Sequence, residues 1–444
     1  MRRSPWAWVP TLYFAEGLPN VLVTVVSVTM YMQMGMSDTD IALYTSWLQL
    51  PWILKWIWSP FVDLIKSKRW WVLLMQILIG ASLAGVAFTL GTPLWFQGTM
   101  AFFFLMALMS ATHDVAADGY YMLALDSHGQ SLFVGIRNTF YRIAVIFGQG
   151  VLVALAGVLQ HVYPNRIAFT WSLIFYGLAG LFILLFLYHS RFMPRAKDDS
   201  NRHGSAREVW HGLGQMITSF VRKMPLRPFI FAMLFILLYR FPEAMLSKMA
   251  TTFLQRPVEQ GGMALSPEEF GFSYGVVGLI GLLSGGIVGG WLAARDGLKR
   301  WLWPFVLALT LPDLVYVYMS YELPLNEVVL ADVEILGYSF ALTNNLLIII
   351  ACLFVEQFGY GLGFTALTLY MLYYCQGAFK TSHYAICTAL SYLGLMLPGM
   401  FSGWLKDILG YRHFFLLVMV CCAITFVVTA FIRIDSAFGK KQTK

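Results

Sequence analysis

Five carboxylates lie inside stretches of the chain that are otherwise apolar: Glu16, Asp114, Asp118, Glu243 and Glu356. Four bases share such stretches, Lys55, Arg142, Arg240 and Lys248, and Arg137 sits at the edge of one. A charge at mid-bilayer costs at least about 2.5–3.5 kcal/mol, so these groups must pair or line a polar cavity. Acids that outnumber their cations in a low dielectric can take up and release a proton. That chemistry suits proton-driven transport. Charge counting alone leaves open which acid goes unpaired.

Spacing adds detail. In ATHDVAADGYY (111–121), Asp114 and Asp118 are four apart and share one helix face, with His113 beside them. Two such carboxylates repel unless a cation stands between them or one holds a proton, and Arg137 and Arg142 are the nearest cations in sequence. The pair reads either as a proton-linked gate or as a charge cluster tying two spans together. In RFPEAM (240–245), Arg240 and Glu243 flank Pro242, and a proline inside a span kinks it. YFAEGLPN (13–20) has the same order of acid, glycine, proline and amide, so Glu16 is expected to line a central path where Gly17 and Pro19 let the helix bend or unwind. VEQFGYGLGFT (355–365) brings Glu356, Gln357 and Tyr360 onto another span, with glycines that allow close helix approach. Asn20, Gln49, Lys55, His113, Asn138, Tyr141, Arg142, Arg240, Gln357 and Tyr360 form the expected substrate path, where tyrosines could stack on a sugar face.

The elements that carry these residues are membrane helices. Of 444 residues, 59% are hydrophobic and 12% charged, and the mean hydropathy is +0.67. Apolar segments of about 20 residues match the bilayer core, and only helices satisfy their own backbone there. Twelve such segments give an all-α integral membrane protein, two six-helix pseudo-repeated bundles over 1–188 and 226–434. A basic linker (189–225) joins them and a short tail (435–444) follows. Most Lys and Arg fall on the side of the N-terminus, which places both termini in the cytoplasm. The outer segment 321–344 is acidic, and nothing in it assigns a role.

Other classes lack their signatures. The net charge of +7 fits basic loops against anionic lipid, not nucleic acid. The five cysteines show no ligand spacing with histidine, so neither metal nor disulfide is expected. No phosphate-binding G-x-x-x-x-G-K-[ST], H-E-x-x-H or G-x-S-x-G occurs, so no ATP motor, hydrolase or cofactor is expected. The partners implied are a small-molecule substrate, protons and the lipid bilayer, with the chain acting as a monomer.

Two turns echo each other: SPFVDLIKSKRWW (59–71) and GGWLAARDGLKRW (289–301). They resemble the turn pattern G-x-x-x-D-[RK]-x-G-[RK]-[RK] of the major facilitator superfamily. Asp63 and Arg69 match in the first copy, where Ser59 replaces the glycine. Gly290, Arg295, Gly297 and Arg300 match in the second, where Ala294 replaces the acid. Within that superfamily, WLQLPWILKWIWSPFVD (47–63), SATHDVAADGYYM (110–122), RNTFYRIAVIFGQG (137–150) and SGWLKDILGYRHFF (402–415) resemble the AmpG-type muropeptide permeases, relatives of the acetyl-CoA transporters. The resemblance carries over Lys55, Asp114, Asp118, Tyr141 and Arg142. His113 departs from the family's glutamine and Gly119 from its alanine. It implies proton-driven import of peptidoglycan fragments, GlcNAc-anhydroMurNAc with or without peptide, across a bacterial inner membrane. Another oligosaccharide, a peptide or an acyl-CoA is the alternative cargo, and a non-transporting membrane sensor is a third reading.

Overall fold

The computed structural model describes residues 4–36, 44–45, 47–195, 206–326, 328–335, 338–377 and 379–440. Arg2, Arg3 and linker residues 196–205 lie outside that set, as does the side chain of Lys248. Among the described residues, ten helices are long and apolar enough to cross a membrane. They are Pro5–Tyr31, Lys68–Thr89, Trp95–Ala124, Ser127–Val162, Ile167–Phe192, Leu226–Gln255, Gly271–Asp296, Leu298–Glu322, Asn344–Tyr374 and Phe401–Phe431.

The helical elements are α1 (Val9–Val21), α2 (Ser27–Gln33), α3 (Leu50–Leu64), α4 (Lys68–Thr89), α5 (Trp95–Ala124), α6 (Ser127–Ile146), α7 (Val153–Val162), α8 (Ile167–Phe192) and α9 (Ala206–Val221). The second half holds α10 (Leu226–Leu238), α11 (Phe241–Gln255), α12 (Pro267–Phe270), α13 (Leu279–Asp296), α14 (Leu298–Thr310), α15 (Leu314–Glu322), α16 (Asn344–Tyr374) and α17 (Lys380–Phe431). α3 is the described part of the predicted second span. The 52 residues of α17 are two helices that meet at Gly410, whose φ of 69° favours glycine. α3 and the part of α17 before Phe401 stand where the other two of the twelve expected spans fall.

Local chemistry sets several boundaries. Ser67 caps α4 by accepting from the Trp70 amide at 3.1 Å. Pro242 sits in the first turn of α11, where a missing N–H costs nothing, and the preceding break at Arg240 divides the seventh span. The first span behaves otherwise than expected. α1 stays helical through Gly17 and Pro19, and the ladder loosens only afterwards, in a π turn over Leu22–Val26. Gly17 serves proximity instead: a Cβ there would stand 2.8 Å from the Tyr141 carbonyl on α6.

The chain forms two compact units that interleave in sequence. Unit 1 comprises residues 1–126, 136–220 and 375–389; unit 2 comprises 127–135, 221–374 and 390–444. The core of unit 1 gathers Leu18, Leu22, Phe103, Trp171, Phe175 and Phe182. That of unit 2 gathers Phe253, Tyr316, Leu353, Phe414 and Phe415. The predicted linker contains a 16-residue helix, α9, which its basic, glycine-containing composition concealed. Within segment 321–344, Val329–Ile335 pairs antiparallel with Tyr338–Thr343, the one sheet among the described residues. Asn344 and Asn345 clamp its base by hydrogen bonds to Val328, Asn326 and Leu325.

Unit 2 is held by a seam of small residues between α13 and α16. A Cβ on Gly361 would lie 2.0 Å from the Leu282 carbonyl, and one on Gly285 would lie 2.1 Å from that of Phe358. Helices in lipid gain stability from such close approach, because lipid tails are as apolar as leucine. Gly361→Val should therefore cost at least about 1–3 kcal/mol. It should lower the melting temperature of the detergent-solubilised protein, whereas Gly180→Ala, which faces open space, should leave it unchanged.

Candidate functional site

α1, α3, α5 and α6 bring five charged side chains together inside unit 1. Lys55 of α3 forms an ion pair with Asp114 of α5. One turn on, Asp118 receives Arg137 of α6 at 2.6 Å. The Tyr13 hydroxyl of α1 donates to the same Asp118 oxygen at 3.0 Å. The Arg137 guanidinium lies over the ring of Tyr13 at 4.3 Å, with Tyr121 at 5.1 Å and Tyr384 at 5.8 Å. Cation–π contacts of this kind, away from water, contribute up to about 2 kcal/mol each. The cation on Asp114 is thus Lys55, from a span distant in sequence, and Arg137 serves Asp118.

Glu16 completes the group. It is 6% exposed, and its Oε2 is buried without a hydrogen-bond partner. One oxygen from each of Glu16, Asp114 and Asp118 lies within 4.8 Å of the others, a spacing a small cation could bridge. Lys55 and Arg137 already supply positive charge to two of the three. Fully ionised, the cluster holds three negative charges against two positive, and the carboxylate left over is Glu16. Two further buried atoms on α6, Arg137 Nη1 and Asn138 Nδ2, are donors without acceptors.

The remaining path residues fall in several places. Tyr141 and Arg142 are half-buried on α6, Asn20 is half-buried on α1, and Gln49 is exposed ahead of α3. His113 is fully buried, but its Nε2 lies 3.1 Å from Gln76 of α4, away from Asp114. Gln76 also meets His189 Nδ1 at 2.9 Å, and His189 Nε2 meets Thr11 at 2.9 Å. Sequence reading missed Gln76 and His189. Each was a lone polar residue in or beside an apolar run, and only their mutual contact distinguishes them.

The first turn works through Asp63. It pairs with Lys68 at 2.8 Å and accepts from both the backbone N–H (3.0 Å) and the hydroxyl of Ser382, at the start of α17. Arg69 donates instead to the Ser190 and Met193 carbonyls at the end of α8. In the second turn, Gly290 lets Ser131 of α6 come close, and Arg295 and Arg300 pair with Asp296, two residues after the position the pattern gives the acid.

Unit 2 buries a second, differently built set. Arg240 pairs with Glu243 at 3.0 Å and donates to the Tyr360 hydroxyl at 2.5 Å, with Phe364 stacked at 4.9 Å. Glu356 accepts from Gln357 at 2.8 Å. Asp313, 4% exposed with an unpartnered Oδ2, was not among the expected acids. It lies in TLPDLVY at the break between α14 and α15, beside a proline as Glu243 is, and that shared feature was the available signal.

A helical membrane bundle that buries charge within its spans has a candidate functional site there. The chain belongs to the Major Facilitator Superfamily, whose family pattern it matches over residues 11–324. It is a secondary transporter of that superfamily and not an enzyme. It is 24% identical over 419 residues to the anhydromuropeptide permease of Escherichia coli K12, covering 91% of this chain and 75% of that one. It is 25% identical over 425 residues to the putative transporter AmpG 4 of Rickettsia conorii, covering 92% of each. Among solved structures it resembles the superfamily transporter FucP in the outward conformation, with a TM-score of 0.65, 14% identity and coverage of 96% of this chain and 98% of that one. The proton:xylose symporter XylE gives a TM-score of 0.62 at 11% identity, covering 96% of each chain.

Breaking one buried pair shows whether the cluster is balanced as described. Lys55→Met leaves Asp114 an uncompensated charge and should destabilise the protein by about 3–5 kcal/mol. Adding Asp114→Asn should restore most of that loss. Thermal denaturation of the two variants beside wild type makes the check.

Proposed function

We propose that the chain is a proton-coupled importer of peptidoglycan fragments, GlcNAc-anhydroMurNAc with or without its peptide. The observation that carries the coupling is the Glu16 carboxyl, buried and unpartnered in a cluster of three acids and two bases. A proton on Glu16 neutralises the cluster; its release restores one negative charge. Tyr13, one turn before Glu16 on α1, is tied to Asp118 and packed under Arg137. A charge change at Glu16 is therefore felt by the helix contacts of α1, α5 and α6 together. That supplies the differential interaction a conformational switch requires.

The cargo reading is supported by similarity to proteins named anhydromuropeptide permease and AmpG transporter. The buried donors Arg137 Nη1 and Asn138 Nδ2 would suit sugar oxygens, and the tyrosines around Arg137 would suit a ring face. We place the protein in a bacterial inner membrane with both termini in the cytoplasm, working as a monomer in which Asp63 and the second turn act as gates.

Uptake of radiolabelled GlcNAc-anhydroMurNAc into proteoliposomes under an inward proton gradient tests the reading. Wild type should accumulate the sugar, and the gradient should be without effect on Glu16→Gln, which should still exchange labelled for unlabelled cargo across the membrane. Well-folded wild type that takes up neither the sugar nor its peptide form would rule out this cargo. Gradient-driven accumulation surviving in Glu16→Gln would rule out the assignment of the proton.

A further inference from the structure

Each half of the chain continues beyond its sixth span into a segment that grips the start of a helix. In unit 1 the gripped residues are Thr381, Ser382 and His383. Asp63 holds Ser382, as described. Gly119 makes room for Thr381, whose Oγ1 would lie 2.4 Å from a Cβ there. His383 Nε2 meets the Ser219 hydroxyl at 3.1 Å and the Met216 carbonyl at 3.2 Å, both on α9.

Unit 2 grips the start of α6 with a different set. His128 Nδ1 lies 3.1 Å from the Ala294 carbonyl. Ser131, fully buried, lies where a Cβ on Gly290 would come within 3.0 Å of its carbonyl. The position equivalent to Asp63 is Ala294, which has no carboxylate. The C-terminal tail occupies this place. The Phe438 carbonyl accepts from the Leu298 N–H at 3.2 Å, and its ring packs edge-on to Tyr373 at 5.1 Å. Gly439, at φ +92°, lies so close that a Cβ would be 2.9 Å from Ser131 Oγ and 3.1 Å from the Ala293 carbonyl. Asp435 shapes the approach by accepting from the Ala437 N–H at 2.9 Å.

We propose that the tail, residues 432–440, is a strap that keeps the start of α6 seated on the second turn. It supplies there the hold that Asp63 supplies at the first turn, and so sets how readily this end of unit 2 opens. The inference does not depend on the cargo or the coupling ion.

The test uses the full-length protein carrying Ser131→Cys, with the rate of labelling by a membrane-impermeant maleimide followed in vesicles of both orientations. Protein without the added cysteine gives the background. Phe438→Ala, Gly439→Val and truncation after Ile434 should each raise the labelling rate several-fold, and Ser436→Ala, on the exposed side of the tail, should not. Unchanged labelling in Phe438→Ala and Gly439→Val, in protein that stays monodisperse and keeps its melting temperature, would overturn the proposal. If the truncated chain fails to fold, the two single substitutions decide.

Discussion

Ionised groups buried away from water must be matched, and the cluster around Asp118 matches four of its five. Removing either member of a buried ion pair costs about 3–5 kcal/mol, because the survivor can neither reach water nor find another partner. The positions of α1, α3, α5 and α6 are therefore tied to the contacts of Lys55 with Asp114 and Arg137 with Asp118. Glu16 enters the same volume without a cation of its own. An apolar bundle would have no reason to place a third acid there. Under the proposed proton coupling, that third acid is the group that takes up and releases the proton.

The apolar framework makes that placement durable. Gly17 lets α6 approach α1 so that Arg137 can lie over Tyr13. In unit 2, glycines on α13 and α16 let two backbones touch, and Gly359 and Gly363 on another face of α16 admit α14. These contacts are rigid because nothing flexible stands between the helices. Adjustable contacts are found instead where the chain leaves the spans: the Asp63 turn, α9 and the tail. At α9 and the tail the hold consists of a few hydrogen bonds and one or two rings, which can be exchanged at modest cost.

Much of this was legible in the sequence because charge inside an apolar run has few explanations. Glu16, Asp114, Asp118, Lys55 and Arg137 were visible for that reason. Their pairing was not. Spacing orders residues along one helix but does not say which helices are neighbours, so Lys55 reached Asp114 although Arg137 and Arg142 are nearer in sequence. His113 stands next to Asp114 in the chain, yet about 100° of helical rotation aims it at Gln76. Asp313 went unseen because one acid in a long apolar span resembles a boundary, although the proline before it repeats the setting of Glu243. The helix α9 and the contacts of the tail went unseen because their binding residues, Met216, Ser219, Phe438 and Gly439, carry no charge pattern and gain meaning only from what they touch.

The claim that Glu16 is the carboxyl left to the proton can be tested on the group itself. Infrared difference spectra of the protein in lipid, acid minus alkaline, report the C=O stretch of any carboxyl that gains a proton. The account predicts a band in wild type that is missing from Glu16→Gln, with Lys55 and Arg137 left in place to neutralise the other two acids. The same band surviving unchanged in Glu16→Gln would contradict it and move the proton to another acid of the bundle.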